Sequence, residues 1–293
     1  MSKTRTGSFP IGIRQRGGWM ATPGMIDFAR KNDFGVVDVA PGTLEAIQAV
    51  TKAGLGIGSA DLPQPWSDLA SADKTKRRDA AQKQAQFVND AAKLGVRNFF
   101  FVALPEEDGR PRDESFRYLA DSLGLIAEAV KSADVRLCIE GWPGGAPLFP
   151  SIVCTPETYR ALFRELPSPT LAVNYDPSHL VRMGIDPVRF LDEFMPRVGH
   201  VHAKDTEIRP DDLYTYGHLQ QPTFLKTRKY GGTFWRYTIP GHGQCPWLDI
   251  LSRLEAGGYR GAVSIELEDA NFFGEEAAEQ RGFVASRDFL RHT

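Results

Sequence analysis

Cysteine is scarce in this chain: Cys138, Cys154 and Cys245 are the only three among 293 residues, and none stands in a Cys-x-x-Cys spacing. Neither a disulfide framework nor a structural zinc site is suggested, and the three read as small buried thiols. Long apolar runs are also missing. The longest, 99–104, falls far short of the roughly 18 to 20 residues that cross a bilayer, so no membrane span is expected. Residues 1–10 are polar and lack the apolar stretch of a secretory signal, from which a cytoplasmic location is expected. An excess of one charge is lacking too: 35 Lys and Arg stand against 37 Asp and Glu, a net charge of -2. That balance gives no overall attraction to a polyanion, and no nucleic-acid partner is expected. With 42% hydrophobic and 25% charged residues the composition is that of a globular protein rather than a disordered, collagen-like or coiled-coil chain.

What is present is a rhythm. Short apolar runs at 10–14, 35–39, 55–60, 98–103, 135–140, 171–175, 199–203 and 262–267 alternate with helical patterns at 23–32, 43–53, 73–94, 113–132, 156–165, 187–194, 246–255 and 275–289. Thr22-Pro23, Thr155-Pro156 and Asp186-Pro187 place a capping side chain before a first-turn proline, while Gly35, Gly54, Gly95 and Gly257-Gly258 end helices. Eight strand-then-helix units in this length predict an α/β fold of the (β/α)₈ TIM-barrel type, one domain over residues 1–293. A doubly wound open sheet is the alternative, but no Gly-rich phosphate fingerprint follows the first strand. The segment 205–241 breaks the rhythm. It is rich in Tyr, Phe, Trp, Arg and Gly without a sustained helical period, and is expected to be a long, lid-like loop after strand seven.

In such a barrel, chemistry collects at the C-terminal ends of the strands. Strand five ends in Glu140, strand six leads to Asp176, strand seven carries His202, and strand eight carries Glu266. Glu140 and Asp176 are 36 residues apart and Asp176 and His202 are 26 apart, each close to one βα unit of about 30 residues. The 64 residues from His202 to Glu266 are one unit plus the irregular segment. Neighbouring strands lie about 4.8 Å apart, so four consecutive strand ends can converge on one ion. Three carboxylates and an imidazole form a hard ligand set that suits one divalent ion. Mn²⁺ is the first choice, with Mg²⁺, Co²⁺ or Zn²⁺ as further candidates. Glu140 and Glu266 on opposite sides of the ion would be placed to move protons on either face of a bound substrate.

The strings Cys138-Ile139-Glu140-Gly141-Trp142, Asp176-Pro177-Ser178-His179-Leu180 and His200-Val201-His202-Ala203-Lys204-Asp205-Thr206 carry a resemblance. So do Ile239-Pro240-Gly241-His242-Gly243 with Trp247, and Gly258-Tyr259-Arg260-Gly261 leading to Ile265-Glu266-Leu267-Glu268-Asp269. Together they resemble the xylose-isomerase-like TIM-barrel superfamily. Within it the likeness is to the sugar phosphate isomerase/epimerase group, which includes ketose 3-epimerases, hydroxypyruvate isomerase and inosose dehydratase. The likeness runs from strand five to strand eight; the first four units share only the rhythm. It implies Glu140, Asp176, His202 and Glu266 as metal ligands, Glu140 and Glu266 as the acid/base pair, and His179 as a substrate-binding histidine. Leu267 departs from the commoner string, which reads Ile-Glu-His-Glu-Asp.

Three further residues are candidates for contact with substrate. Lys204 shares a strand face with His200 and His202 and lies nearest the mouth, where it would touch substrate or bridge to a carboxylate; His200, deeper, reads as a hydrogen-bonded core residue. Trp142 would wall a sugar ring, and His242, between glycines, would reach over the site. Arg228, Trp235 and Arg236 read as loop packing. The expected partner is a small sugar or keto-polyol, with a homo-oligomer left open. The expected reaction is isomerisation or epimerisation by proton transfer next to a carbonyl, and a lyase or dehydratase is the alternative. An abasic-site endonuclease is disfavoured by six histidines and no basic excess, and a non-catalytic sugar-binding barrel by the intact ligand set.

Overall fold

Short runs of three to six residues, most of them apolar, form the strands of the computed structural model, which describes residues 1–293 except Thr22 and Pro147. The cap expected at Thr22 lies outside the described residues. In chain order the elements are β1 (Ile11–Arg14), α1 (Pro23–Lys31), β2 (Val36–Val39), α2 (Leu44–Lys52), β3 (Gly56–Asp61), α3 (Lys74–Lys93), β4 (Asn98–Val102), α4 (Arg112–Ala129), β5 (Arg136–Glu140) and α5 (Pro156–Glu165). Then come β6 (Leu171–Tyr175), α6 (Pro177–Arg182), α7 (Pro187–Phe194), β7 (Val198–Ala203), β8 (Asp205–Ile208), α8 (Pro210–Tyr216), β9 (Trp235–Thr238), α9 (Trp247–Ala256), β10 (Val263–Ile265) and α10 (Glu276–His292). Eight strands close into a parallel barrel in the order β1-β10-β7-β6-β5-β4-β3-β2, as the rhythm predicts, while β8 and β9 form a separate antiparallel pair.

By compactness the chain divides into two units. The first comprises Met1–Val36, Asp176–Met195 and Val201–Thr293. In it β1 pairs with β10, and β10 with the end of β7. The second comprises Val37–Tyr175 and Pro196–His200, where β3 to β6 pair in sequence. Parallel strands with both faces covered should be apolar throughout. Phe99, Phe101, Leu137 and Ile139 in the second unit, and Ile11 and Ile13 in the first, are accordingly fully buried. Each such side chain contributes about 1.5–3 kcal/mol by leaving water. Among the described residues no helix is long and apolar enough to cross a membrane.

Local signals act as expected at several ends. Asp186 caps α7 by accepting from the N–H groups of Val188 at 2.9 Å and Arg189 at 3.1 Å. Gly54 and Gly95 leave α2 and α3 with φ of 78° and 95°, a left-handed conformation that a side chain would strain. One expectation needs correction. The segment 205–241 is only partly irregular: its ends pair as β8 and β9, Asp205 opposite Thr238 and Ile208 opposite Trp235, and α8 lies between them, while 217–234 has no sustained helix or strand. Strands of four residues joined by a connection this long leave no local pattern. The six-residue α6 was missed for the same reason, since it is too short to show a helical period.

All three cysteines are free and buried. Burial pushes the Cys138 thiol up to about 12, raises Cys154, and holds Cys245 well above the ordinary thiol range. A thiol reagent at pH 8 should therefore label none of them rapidly in the folded protein and all three in denaturant. Rapid labelling of one site in the folded protein would contradict this packing.

Candidate functional site

Strand register sets the first neighbours. On β7 and β10, His202 lies opposite Ser264 and Ala203 opposite Ile265, and the Glu266 N–H continues the ladder to the Ala203 carbonyl at 3.2 Å. Glu266 thus comes level with Lys204, one residue past β7. On the other side Ile13 lies opposite Ile265, which brings Arg14 at the end of β1 to the same carboxylate: Arg14 Nε is 3.1 Å from Glu266 Oε1.

Asp176 leaves β6 directly into α6 and caps it, Oδ1 accepting from the Ser178 N–H at 2.9 Å. With that oxygen committed to the helix, Oδ2 lies 3.2 Å from Lys204 Nζ and 3.4 Å from His179 Nε2. The Lys204 ammonium donates to Glu266 Oε2 at 2.5 Å and to Glu268 Oε2 at 3.1 Å. His202 Nδ1 is 3.5 Å from Glu266 Oε2. Asp176, His179 and Glu266 each offer a ligand atom within 4.8 Å of the others. The imidazole beside Asp176 is thus His179, one helical turn further along α6, while His202 lies against Glu266.

Burial alone would push the Glu266 carboxyl up. The Lys204 ammonium, the His202 ring and the Arg14 guanidinium oppose it and hold the group well below the usual carboxylate range. Glu266 is therefore a carboxylate at neutral pH despite its burial.

The pair β8–β9 reaches this cluster. Tyr237 on β9 places its hydroxyl 2.7 Å from His179 Nδ1, and Arg182, at the end of α6, donates to the same oxygen at 3.0 Å. The Arg182 guanidinium also stacks over the Trp235 ring, 4.0 Å from its centroid. Burial raises the Tyr237 phenol above its ordinary range, so it remains a neutral hydroxyl. Neither Tyr237 nor Arg182 was anticipated. No local signal marks Arg182, and Tyr237 sat in a segment read as loop. For Glu268 the sequence does carry a signal: it is two residues from Glu266 and so on the same side of an extended chain.

Asp205, which no sequence signal assigns to the site, holds the backbone beside it. Its Oδ1 accepts from the N–H groups of Thr206 and Cys245, each at 2.8 Å, and its Oδ2 from Gly241 N–H at 3.0 Å and the Trp247 indole at 3.2 Å. One buried carboxylate thereby ties the start of β8 to the turn before α9. Gly243 has no room for a side chain in that turn: a Cβ there would fall 2.3 Å from Asp205 Oδ1 and 2.6 Å from the Thr206 carbonyl oxygen. Asp269 does the same for β9, accepting from the Ile239 N–H at 3.2 Å.

In the second unit, Glu140 is the buried last residue of β5, opposite Asn174, whose amide donates to Glu140 Oε1 at 3.0 Å. His200 is the hydrogen-bonded core residue that was expected, with Nε2 2.7 Å from Asp38 Oδ2 and both side chains buried. Trp142 is half-buried, its carbonyl accepting from the Ser151 hydroxyl. His242, back in the first unit, is exposed in the turn that Asp205 holds.

The model of the xylose isomerase-like TIM barrel family matches residues 25–293. The uncharacterized protein YfiH of Bacillus subtilis (strain 168) is 34% identical over 144 residues, 48% of this chain and 43% of that protein. The inosose dehydratase of Clostridium tetani is 27% identical over 157 residues, 53% of this chain and 48% of that protein. The chain thus spans about half the length of these curated relatives. A crystal structure of D-psicose 3-epimerase in the presence of D-fructose superposes with a TM-score of 0.70 at 17% identity, covering 96% of this chain and 98% of that one.

The network around Asp205 makes a stability prediction. Asp205→Asn keeps the shape but turns an acceptor-only group into one with two donors facing N–H groups, and should cost about 2–4 kcal/mol in urea unfolding. A loss below about 0.5 kcal/mol would show that the carboxylate does not hold the turn.

Proposed function

Because the chain belongs to the xylose isomerase-like TIM barrel family, we propose that it is a divalent-metal-dependent enzyme of the sugar isomerase, epimerase and dehydratase group, acting on a small sugar or keto-polyol. The observation that carries this reading is the cluster of buried Asp176, His179, His202 and Lys204 with half-buried Glu266 at the C-terminal strand ends. Barrels of this type keep their chemistry at that face.

The donor set fits a divalent ion. Carboxylates and imidazole are its ordinary ligands, and Asp176, Glu266 and Glu268 carry three negative charges against the two positive ones of Lys204 and Arg14. In this reading the ligands are Glu140, Asp176, His202 and Glu266. Glu140, opposite Asn174 and so two positions short of Asp176, supplies the further carboxylate. Mn²⁺ is the ion proposed first. When bound, it supplies positive charge to substrate oxygens that become negative as a proton leaves carbon.

The residues do the remaining work. Glu266, held ionised, takes the proton next to the carbonyl, and Glu140, acting in its protonated form, delivers a proton to the opposite face and is left as a carboxylate. His179, with its ring braced from behind by Tyr237, and Lys204 hold substrate oxygens. Trp142 offers an apolar wall and His242 an outer contact. Return of a proton gives an isomer or epimer. A second reading is favoured by the relative named inosose dehydratase: with a hydroxyl β to the deprotonated carbon, the same residues expel water and the enzyme is a lyase.

Incubation with Mn²⁺ and a panel of ketoses and inososes in deuterated water should place deuterium next to the carbonyl, or yield an unsaturated product if the enzyme is a lyase. Glu140→Gln and Glu266→Gln, shown to retain metal, should each lower turnover by at least 10³-fold, about 4 kcal/mol of barrier. Full exchange in a metal-loaded Glu266→Gln variant would overturn the assignment of the base.

A further inference from the structure

Lys204 is the most completely enclosed cation of the site. Its side chain is 1% exposed, and its ammonium is met by Glu266 Oε2 at 2.5 Å, Glu268 Oε2 at 3.1 Å and Asp176 Oδ2 at 3.2 Å. The Tyr237 ring lies against it, 4.7 Å from Nζ to the centroid. A lysine removed from water to this degree needs such compensation, because an unpaired buried ammonium is costly. The carboxylates need it as much, since three of them this close to one another repel strongly without a cation between them.

Two of those carboxylates, Asp176 and Glu266, are the ones assigned above to a divalent ion, and the oxygens turned to Lys204 are Asp176 Oδ2 and Glu266 Oε2. The other Asp176 oxygen caps α6, and the other Glu266 oxygen pairs with Arg14. The atoms left for an ion are therefore the atoms that Lys204 holds. Ion and ammonium cannot both sit at full strength on the same oxygens, because two cations a few ångströms apart in a site this poor in water repel each other. Glu268, partly exposed at the rim of the cluster, offers the ammonium another partner within reach of a flexible four-carbon stem.

We propose that Lys204 is the resident cation of the metal-free site, holding Asp176 and Glu266 together until a divalent ion takes their oxygens and the ammonium withdraws toward Glu268. This rests on the metal-dependent reading above. The fold then tolerates an empty metal site because a tethered charge fills it, and metal affinity is set below what the carboxylates alone would give. A lysine that only packed or only touched substrate would have no such effect on metal binding.

The test is Lys204→Met, which keeps the length and loses the charge, with Mn²⁺ binding read by calorimetry and thermal unfolding followed with and without Mn²⁺. The variant should melt lower than wild type without metal, bind Mn²⁺ at least tenfold more tightly, and gain more in Tm from Mn²⁺ than wild type does. If wild type binds Mn²⁺ and the variant binds it equally or more weakly, the inference falls while the metal reading stands. If neither binds, both fall. Should the variant fail to fold without metal, recovery of the native circular dichroism with Mn²⁺ but not with sodium chloride supports the inference, and no recovery with either overturns it.

Discussion

Charge compensation without water is the constraint on which the mouth of this barrel depends. Lys204 and Asp176 are buried and Glu266 is half-buried against them, and neither buried charge is tolerable there alone. The register of β10 on β7 brings Glu266 level with Lys204, and the register of β1 on β10 adds Arg14. The first turn of α6 takes one oxygen of Asp176 and leaves the other for the cluster. Backbone geometry thus decides which oxygens face the site, and the buried charges in turn demand that this geometry be kept.

Two further carboxylates act on the frame rather than on the chemistry. Asp205 and Asp269 spend their oxygens on backbone N–H groups and an indole, and so fix the ends of the β8–β9 pair where Tyr237 can meet His179. The aromatic segment after β7 is consequently anchored at both ends and most exposed in its middle, where Tyr214, Leu219 and Phe224 stand almost wholly in solvent. A hydroxyl bonded to His179 and approached by a guanidinium limits how the imidazole can turn.

Much of this was legible in the sequence, for a physical reason. Parallel strands buried on both faces announce themselves as short apolar runs, and eight of them at regular spacing leave few architectures to consider. Glu140, Asp176, His202 and Glu266 stood out because a charged or titratable residue at the end of such a run breaks its composition. What depends on contacts distant in sequence was not legible. Asp205 binds Cys245 and Trp247 some 40 residues away, and Tyr237 meets His179 across 58; for Lys204 the sequence indicated a carboxylate partner but not that it would be Glu266, 62 residues on. His179 came only from the family resemblance. Its local reason, one turn beyond a capping aspartate, became visible with α6.

The central claim is that these strand ends form one divalent-metal centre. It is tested most directly by anomalous diffraction at the manganese edge from crystals grown with Mn²⁺. One strong peak per chain is expected, within bonding distance of carboxylate oxygens of Glu140, Asp176 and Glu266 and an imidazole nitrogen of His202. No peak at the strand ends under saturating Mn²⁺, or a peak held only by residues elsewhere, would contradict it.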